Sequence, residues 1–204
     1  MDISKAIAID TRESGKEQRA EMAASIMQAT RSALATEALA ANVGRTLEFN
    51  ASVFEAGKKQ VRAYIFTPSG NGTPQTDQLR FEGEVTYQNT GQSTAFNVRC
   101  VANCGILRFD QLDSFAFPLP DMPEVGVPLG NGQGLGVSRI LGERVPDDHV
   151  ADISINANEA FYVWGAIAYA DIFGDPHETK FCLRFRFIGN VVRTHQVPQH
   201  TSAS

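Results

Sequence analysis

The sequence predicts a mainly β protein, an antiparallel, immunoglobulin-like β-sandwich preceded by one or two α-helices that form an N-terminal arm. Three observations carry this expectation. Residues 13–43 are rich in Ala, Met, Leu, Glu and Gln and hold neither Gly nor Pro between Gly15 and the end of the segment, a composition that favours helix. Beyond residue 60, apolar residues recur at every second position, the period of strands with one buried face. Turn-forming stretches separate those segments, and seven or so short strands joined this way suit a sandwich. A two-layer α+β packing is the competing architecture. The expected divisions are a helical arm over 1–57, a β-sandwich domain over 58–190 and a flexible tail over 191–204.

Within the arm, Met22, Ile26, Ala29, Ala33 and Ala40 trace a thin apolar stripe. Alanine buries little area, so the stripe suits close helix–helix packing or a solvated arm rather than firm docking on a large core. Gly44 is read as a break. In residues 45–60, Leu47, Ala51, Phe54 and Lys58 keep a helical spacing, while Leu47, Phe49, Ala51 and Val53 alternate like a strand. A second helical stretch feeding a strand is the preferred reading.

"VRAYIF" (61–66) has the branched and aromatic residues of a strand, and "TPSGNGTPQTDQ" (67–78) reads as a loop. In "LRFEGEVTYQN" (79–89), Leu79, Phe81, Val85 and Tyr87 alternate with Arg80, Glu82, Glu84 and Thr86, which predicts one buried face and one wet face. "NTGQ" (89–92) should turn the chain, with Gly91 at positive φ and Asn89 bonding nearby amides. "TAFNVRCVAN" (94–103) is then the partner strand, with Phe96, Val98 and Cys100 inward. Residues 104–150 are broken by prolines and glycines, with short strands at 106–109 and 137–141. "DISINA" (152–157) reads as a strand. "AFYVWGAIAY" (160–169) is apolar at every position and predicts a central strand. In "TKFCLRFRFIG" (179–189), Phe181, Leu183, Phe185 and Phe187 should face inward, and Lys180, Arg184 and Arg186 outward.

The 204 residues carry a net charge of −5, and their longest basic runs are pairs, which argues against nucleic-acid binding. No segment reads as a signal peptide or a membrane-spanning helix, so a cytoplasmic location is the default expectation. Cys100 and Cys104 would lie ~13 Å apart on one strand, beyond disulfide reach unless "VANC" turns, and Cys182 is distant. Buried free thiols are expected.

Chemistry-bearing residues cluster once, in "ADIFGDPHETKFC" (170–182), where Asp171, Asp175, His177 and Glu178 fall between two predicted strands. Gly, Asp and Pro make turns, so a hairpin bend is the main reading. The ligand spacings of zinc or calcium sites are not met, and a metal-dependent enzyme using these four residues is the alternative. "GNGQGLGV" (130–137) matches neither a phosphate-binding nor a dinucleotide-binding loop and reads as a flexible surface loop. His149 has Asp147 and Asp148 beside it, but sequence neighbours rarely form a catalytic triad. Arg62, Arg184 and Arg186 can form cross-strand ion pairs with Glu82 and Glu84. No catalytic residue and no cofactor is implied.

Three stretches resemble a widespread group of uncharacterised bacterial proteins: "KKQVRAYIF" (58–66), "VTYQNTGQSTAFNV" (85–98) and "FYVWGAIAYADIFGDPHETKFCLRF" (161–185). The last is similar to that group's Y-V-x-G-x-I-x-Y-x-D-x-F-G-x-x-H-x-T-x-F-C pattern. The resemblance implies a β-sandwich-like domain on a helical stalk. It also implies an N-terminal membrane helix, which this sequence does not show, so a periplasm-facing or membrane-associated location is expected only through the resemblance. Ser93-Thr94 stands where the group has Thr-Pro.

The expected function is a non-enzymatic binding or assembly module. Its partner is another protein or a second copy, engaged through the N-terminal helix, and a membrane only by way of such a partner. A membrane-associated accessory factor is the further alternative.

Overall fold

The computed structural model describes residues 3–189 and 191–203, with side chains from Gly15 onward. The chain divides into two compact units between Gly57 and Lys58. The first is a single helix. Helix α1 (Ile3–Val61) continues four residues into the second unit, so residues 45–57 are helical and Gly44 is no break. One exposed glycine costs a helix about 1 kcal/mol, and the alanines and leucines around it offset that. From 16 to 57, every side chain other than Gly44 is exposed.

The second unit pairs two antiparallel sheets, as the alternating pattern requires. Strands β1 (Ile65–Thr73), β2 (Glu82–Asn89) and β5 (Gly134–Ile140) form one sheet in the order β1-β2-β5. The other contains β3 (Ala95–Arg108), β4 (Val127–Leu129), β6 (Glu159–Ala170), β7 (Pro176–Ile188) and β8 (Val191–Gln196), in the order β4-β3-β6-β7-β8, with β9 (Ser202–Ala203) against β7. The architecture is therefore β-sandwich-like with an N-terminal helical arm.

The core between the sheets is built on phenylalanine. Phe81 stacks on Phe161 at 5.7 Å and meets Phe187 at a tilt at 5.6 Å, and Phe161 meets Phe185 at 5.6 Å. Each such ring contributes roughly 1.5–3 kcal/mol of burial. Phe181, Leu183, Phe185 and Phe187 do face this core. Strand β6 is central and buried on both faces: Phe161, Val163 and Ile167 enter the main core, while Tyr162 and Trp164 enter a second cluster on the outer face. Residues 109–119 cover that cluster. Phe115 and Phe117 meet Trp164 edge-on at 5.4 and 5.9 Å, and the Trp164 indole N–H donates to the Pro118 carbonyl at 2.9 Å.

Several expectations need correction. Helix α1 takes Val61, and β1 then runs through residues read as a loop. Pro68 is tolerated there because the register shifts between Phe66 and Ser69, as at a β-bulge. Strands β2 and β3 do not pair; the chain changes sheets at 89–95. Phe96 points outward because a register shift follows it, with Asn97 at φ 50°. Residues 152–155 belong to helix α2 (Asp147–Ile155), not to a strand. Asp147 and Asp148 favour its first turn, and Asn156 closes it in the left-handed conformation at φ 61°. Half of the glycine-rich 130–137 segment is strand, since Gly134–Val137 pair with β2. The segment read as a frayed tail supplies β8 and β9, because β7 offers both a free edge.

The sheet switch is held by one side chain. Asn89 is fully buried and uses both ends of its amide. Its Oδ1 accepts from the Tyr64 and Gly91 amides at 3.2 and 3.0 Å, and its Nδ2 donates to the Ser93 and Leu129 carbonyls at 2.7 and 2.9 Å. Gly91 is required for a different reason than positive φ: a Cβ there would collide with the backbone of Arg62 and Tyr64.

Candidate functional site

The acidic stretch 171–178 forms the bend between β6 and β7. Asp171 is 3% exposed and organises it. Its Oδ1 accepts the amides of Phe173 and Asp175 at 2.9 and 3.1 Å, and its Oδ2 lies 3.0 Å from His177 Nε2. The Gly174 amide donates back to the Asp171 carbonyl, with Gly174 at φ 83°, where only glycine sits without strain. Burial by itself would raise the Asp171 pKa; the bonds from His177 and the two amides outweigh it and hold the carboxyl below its ordinary range. His177 also lies against Tyr169, with ring centroids 5.3 Å apart.

The other two acids of the stretch point elsewhere. Asp175 pairs with Lys58 at 2.7 Å, and Glu178 reaches Lys180 at 3.4 Å. Among the described residues, no three His, Cys, Asp or Glu side chains converge on a common point. The geometry joins Asp171 with His177 and separates Asp175 and Glu178 from them. The His177–Asp171 contact ties the two ends of the bend together.

A cleft of about 460 Å³ opens beside α2. Ile106, Leu141, Val145 and Ile153 give it an apolar floor, and Glu143, Arg144, His149 and Glu159 add charge. His149 Nδ1 lies 3.3 Å from Glu159 Oε1. This pairing was not legible in the sequence, because it depends on α2 folding back toward the start of β6. The pair sits at the cleft, whose lining holds no Ser, Thr, Cys, Lys or Tyr.

The three cysteines are free. Burial pushes the Cys100 and Cys182 thiols up to about 12 and raises Cys104, with Arg139 partly offsetting this at Cys100 and Cys104. Such thiols are poor nucleophiles. The anticipated Arg–Glu strip does not form, because Glu82 and Glu84 lie on one sheet and Arg184 and Arg186 on the other. Arg184 instead lies over the Phe109 ring at 5.3 Å, and Arg62 over the Tyr64 ring at 4.6 Å.

Large apolar side chains are exposed all round helix α1, and one line along it carries no charge. Met22, Ile26, Ala29, Ala33, Thr36, Ala40, Val43, Leu47 and Asn50 follow one another at alternating steps of four and three, the heptad spacing of a coiled-coil seam. The charged residues in that stretch, Arg31, Glu37, Arg45 and Glu48, all lie off this line. Met22 is 67% exposed and Leu47 64% exposed. The Thr36 hydroxyl donates to the Ser32 carbonyl at 2.9 Å, which leaves its methyl group for packing. The thin stripe noted in the sequence is the first half of this seam.

Among the described residues, no helix is long and apolar enough to cross a membrane. No protein-family model and no curated protein matches the chain.

Proposed function

We propose that the protein is a non-enzymatic assembly module, in which a β-sandwich-like unit is carried on a helix that associates with a second protein surface. The observation that supports this reading most is the exposed heptad line of α1. Met22, Ile26, Val43 and Leu47 are all exposed along it, and large apolar side chains left exposed in a row mark an interaction surface. The β unit adds support through what its polar residues do. Asp171, His177 and Asn89 spend their hydrogen bonds on bends and corners. The resemblance to bacterial stalk-borne β-sandwich-like domains agrees with the same division of labour.

Light scattering coupled to size exclusion tests the reading on the full chain and on residues 58–204. The expected result is a multimer, or a complex with a captured protein, for the full chain and a monomer for the β unit. Monomers for both, with no partner retained from a lysate of the source cells, would refute it.

A further inference from the structure

We infer that the surface covering α1 is a second copy of this chain, in a parallel, in-register two-stranded coiled coil along the Met22–Asn50 line. The inference rests on the assembly reading above and specifies its partner and orientation. Three features of the line carry it.

The first is extent. At 1.5 Å per residue, the line is about 42 Å long, and a contact strip roughly one helix wide removes on the order of 1,000 Å² from two helices, the size at which specific interfaces begin. The second is shape. The line is wide at Met22 and Ile26, narrow through its alanines, and wide again at Val43 and Leu47. A parallel pair in register sets wide against wide and narrow against narrow, so the backbones approach closely in the middle without leaving voids.

The third is polarity. Asn50 is the one amide on the line. In a parallel pair it faces its own copy, and two facing amides donate to and accept from each other. An antiparallel pair that keeps Asn50 inside the overlap sets it against Ile26 and sets Leu47 against Ala29, at the cost of an unmade hydrogen bond and mismatched widths, and one that matches the widths, with Met22 on Leu47 and Ile26 on Val43, leaves Asn50 outside the seam and forms one layer fewer. A lone polar residue on such a seam selects register and orientation in this way.

The test uses the full chain. Leu47→Glu places a charge on the line, and Phe49→Glu places one on an equally exposed position off it. Sedimentation equilibrium should show a wild-type dimer, self-association weakened ~10-fold or more by Leu47→Glu, and little change from Phe49→Glu. Circular dichroism of both variants verifies that the β unit remains folded. Orientation is read from Val43→Cys under oxidation, which keeps Asn50 in place. Facing positions of a parallel pair meet the 4.4–6.8 Å Cα separation that a disulfide needs, so a covalent dimer is expected, with Glu48→Cys and the wild type remaining monomeric on a non-reducing gel. A monomeric wild type that captures a different protein refutes this inference and leaves the assembly reading standing. A dimer sensitive to Phe49→Glu but not to Leu47→Glu refutes the seam. A Leu47-dependent dimer in which Val43→Cys fails to cross-link refutes the parallel orientation.

Discussion

Asp171 is one carboxylate with two jobs, closing a bend and seating a histidine. It accepts two backbone amides and the His177 ring while nearly excluded from water. Asp171→Ala removes all three acceptor contacts, and urea unfolding at pH 7 should register a loss of about 2–4 kcal/mol. The folded carboxyl has a lowered pKa, so the unfolded chain binds the proton more readily. Its contribution is therefore fully present above the unfolded value of about 4 and is lost as pH falls through the lower folded value. The gap between wild type and Asp171→Ala should narrow as unfolding is measured at successively lower pH below about 4. A gap that stays constant would show that the carboxylate charge does not matter to the bend. The turn residues of this loop were legible in the sequence because Gly, Asp and Pro act locally. Which acid would be buried was not, since that depends on how the β6–β7 bend closes over it.

At the scale of elements, β6 illustrates how tightly two layers constrain a strand between them. A Cβ at Gly165 would collide with the Val101 carbonyl on the neighbouring strand and with the Phe181 ring. Gly165→Ala should lower stability by about 2–4 kcal/mol, because neither a ladder carbonyl nor a packed ring can yield cheaply. Gly142→Ala, whose new methyl meets nothing within 4 Å, should stay within about 0.5 kcal/mol of wild type in the same denaturant titration. The strands with uninterrupted alternation or continuous apolar runs, β2, β6 and β7, were recognisable from the sequence. Helix α2 was not, because Ile153 and Ile155 mimic a strand over six residues, while the helix is set by what flanks them. Pro146 before two aspartates and Asn156 after the last isoleucine are the signals that could have found it. The pairing of β8 with β7 was equally hidden, since a polar strand advertises no buried face.

At the scale of the whole molecule, a helical arm held by self-association and a β unit held by its own core should respond differently to dilution. In the dimer we propose, the arm would gain stability from mass action and the β unit would not. Loss of helix followed at 222 nm should shift upward by a few degrees for each tenfold rise in protein concentration, while the Trp164 signal, which reports the β unit, melts at a fixed temperature. Helix loss that ignores concentration would count against association through α1.

The sequence by itself determined the class of architecture, a helical arm and then antiparallel strands, because helical propensity and side-chain parity are local properties that a short window of residues already expresses. It also placed the acidic bend. Only the tertiary structure decided which strands share a sheet and that the chain switches sheets at Asn89. Each of those outcomes depends on contacts between residues far apart in the chain. A hydrogen bond such as Asn89 to Leu129 leaves no trace in the periodicity of either segment.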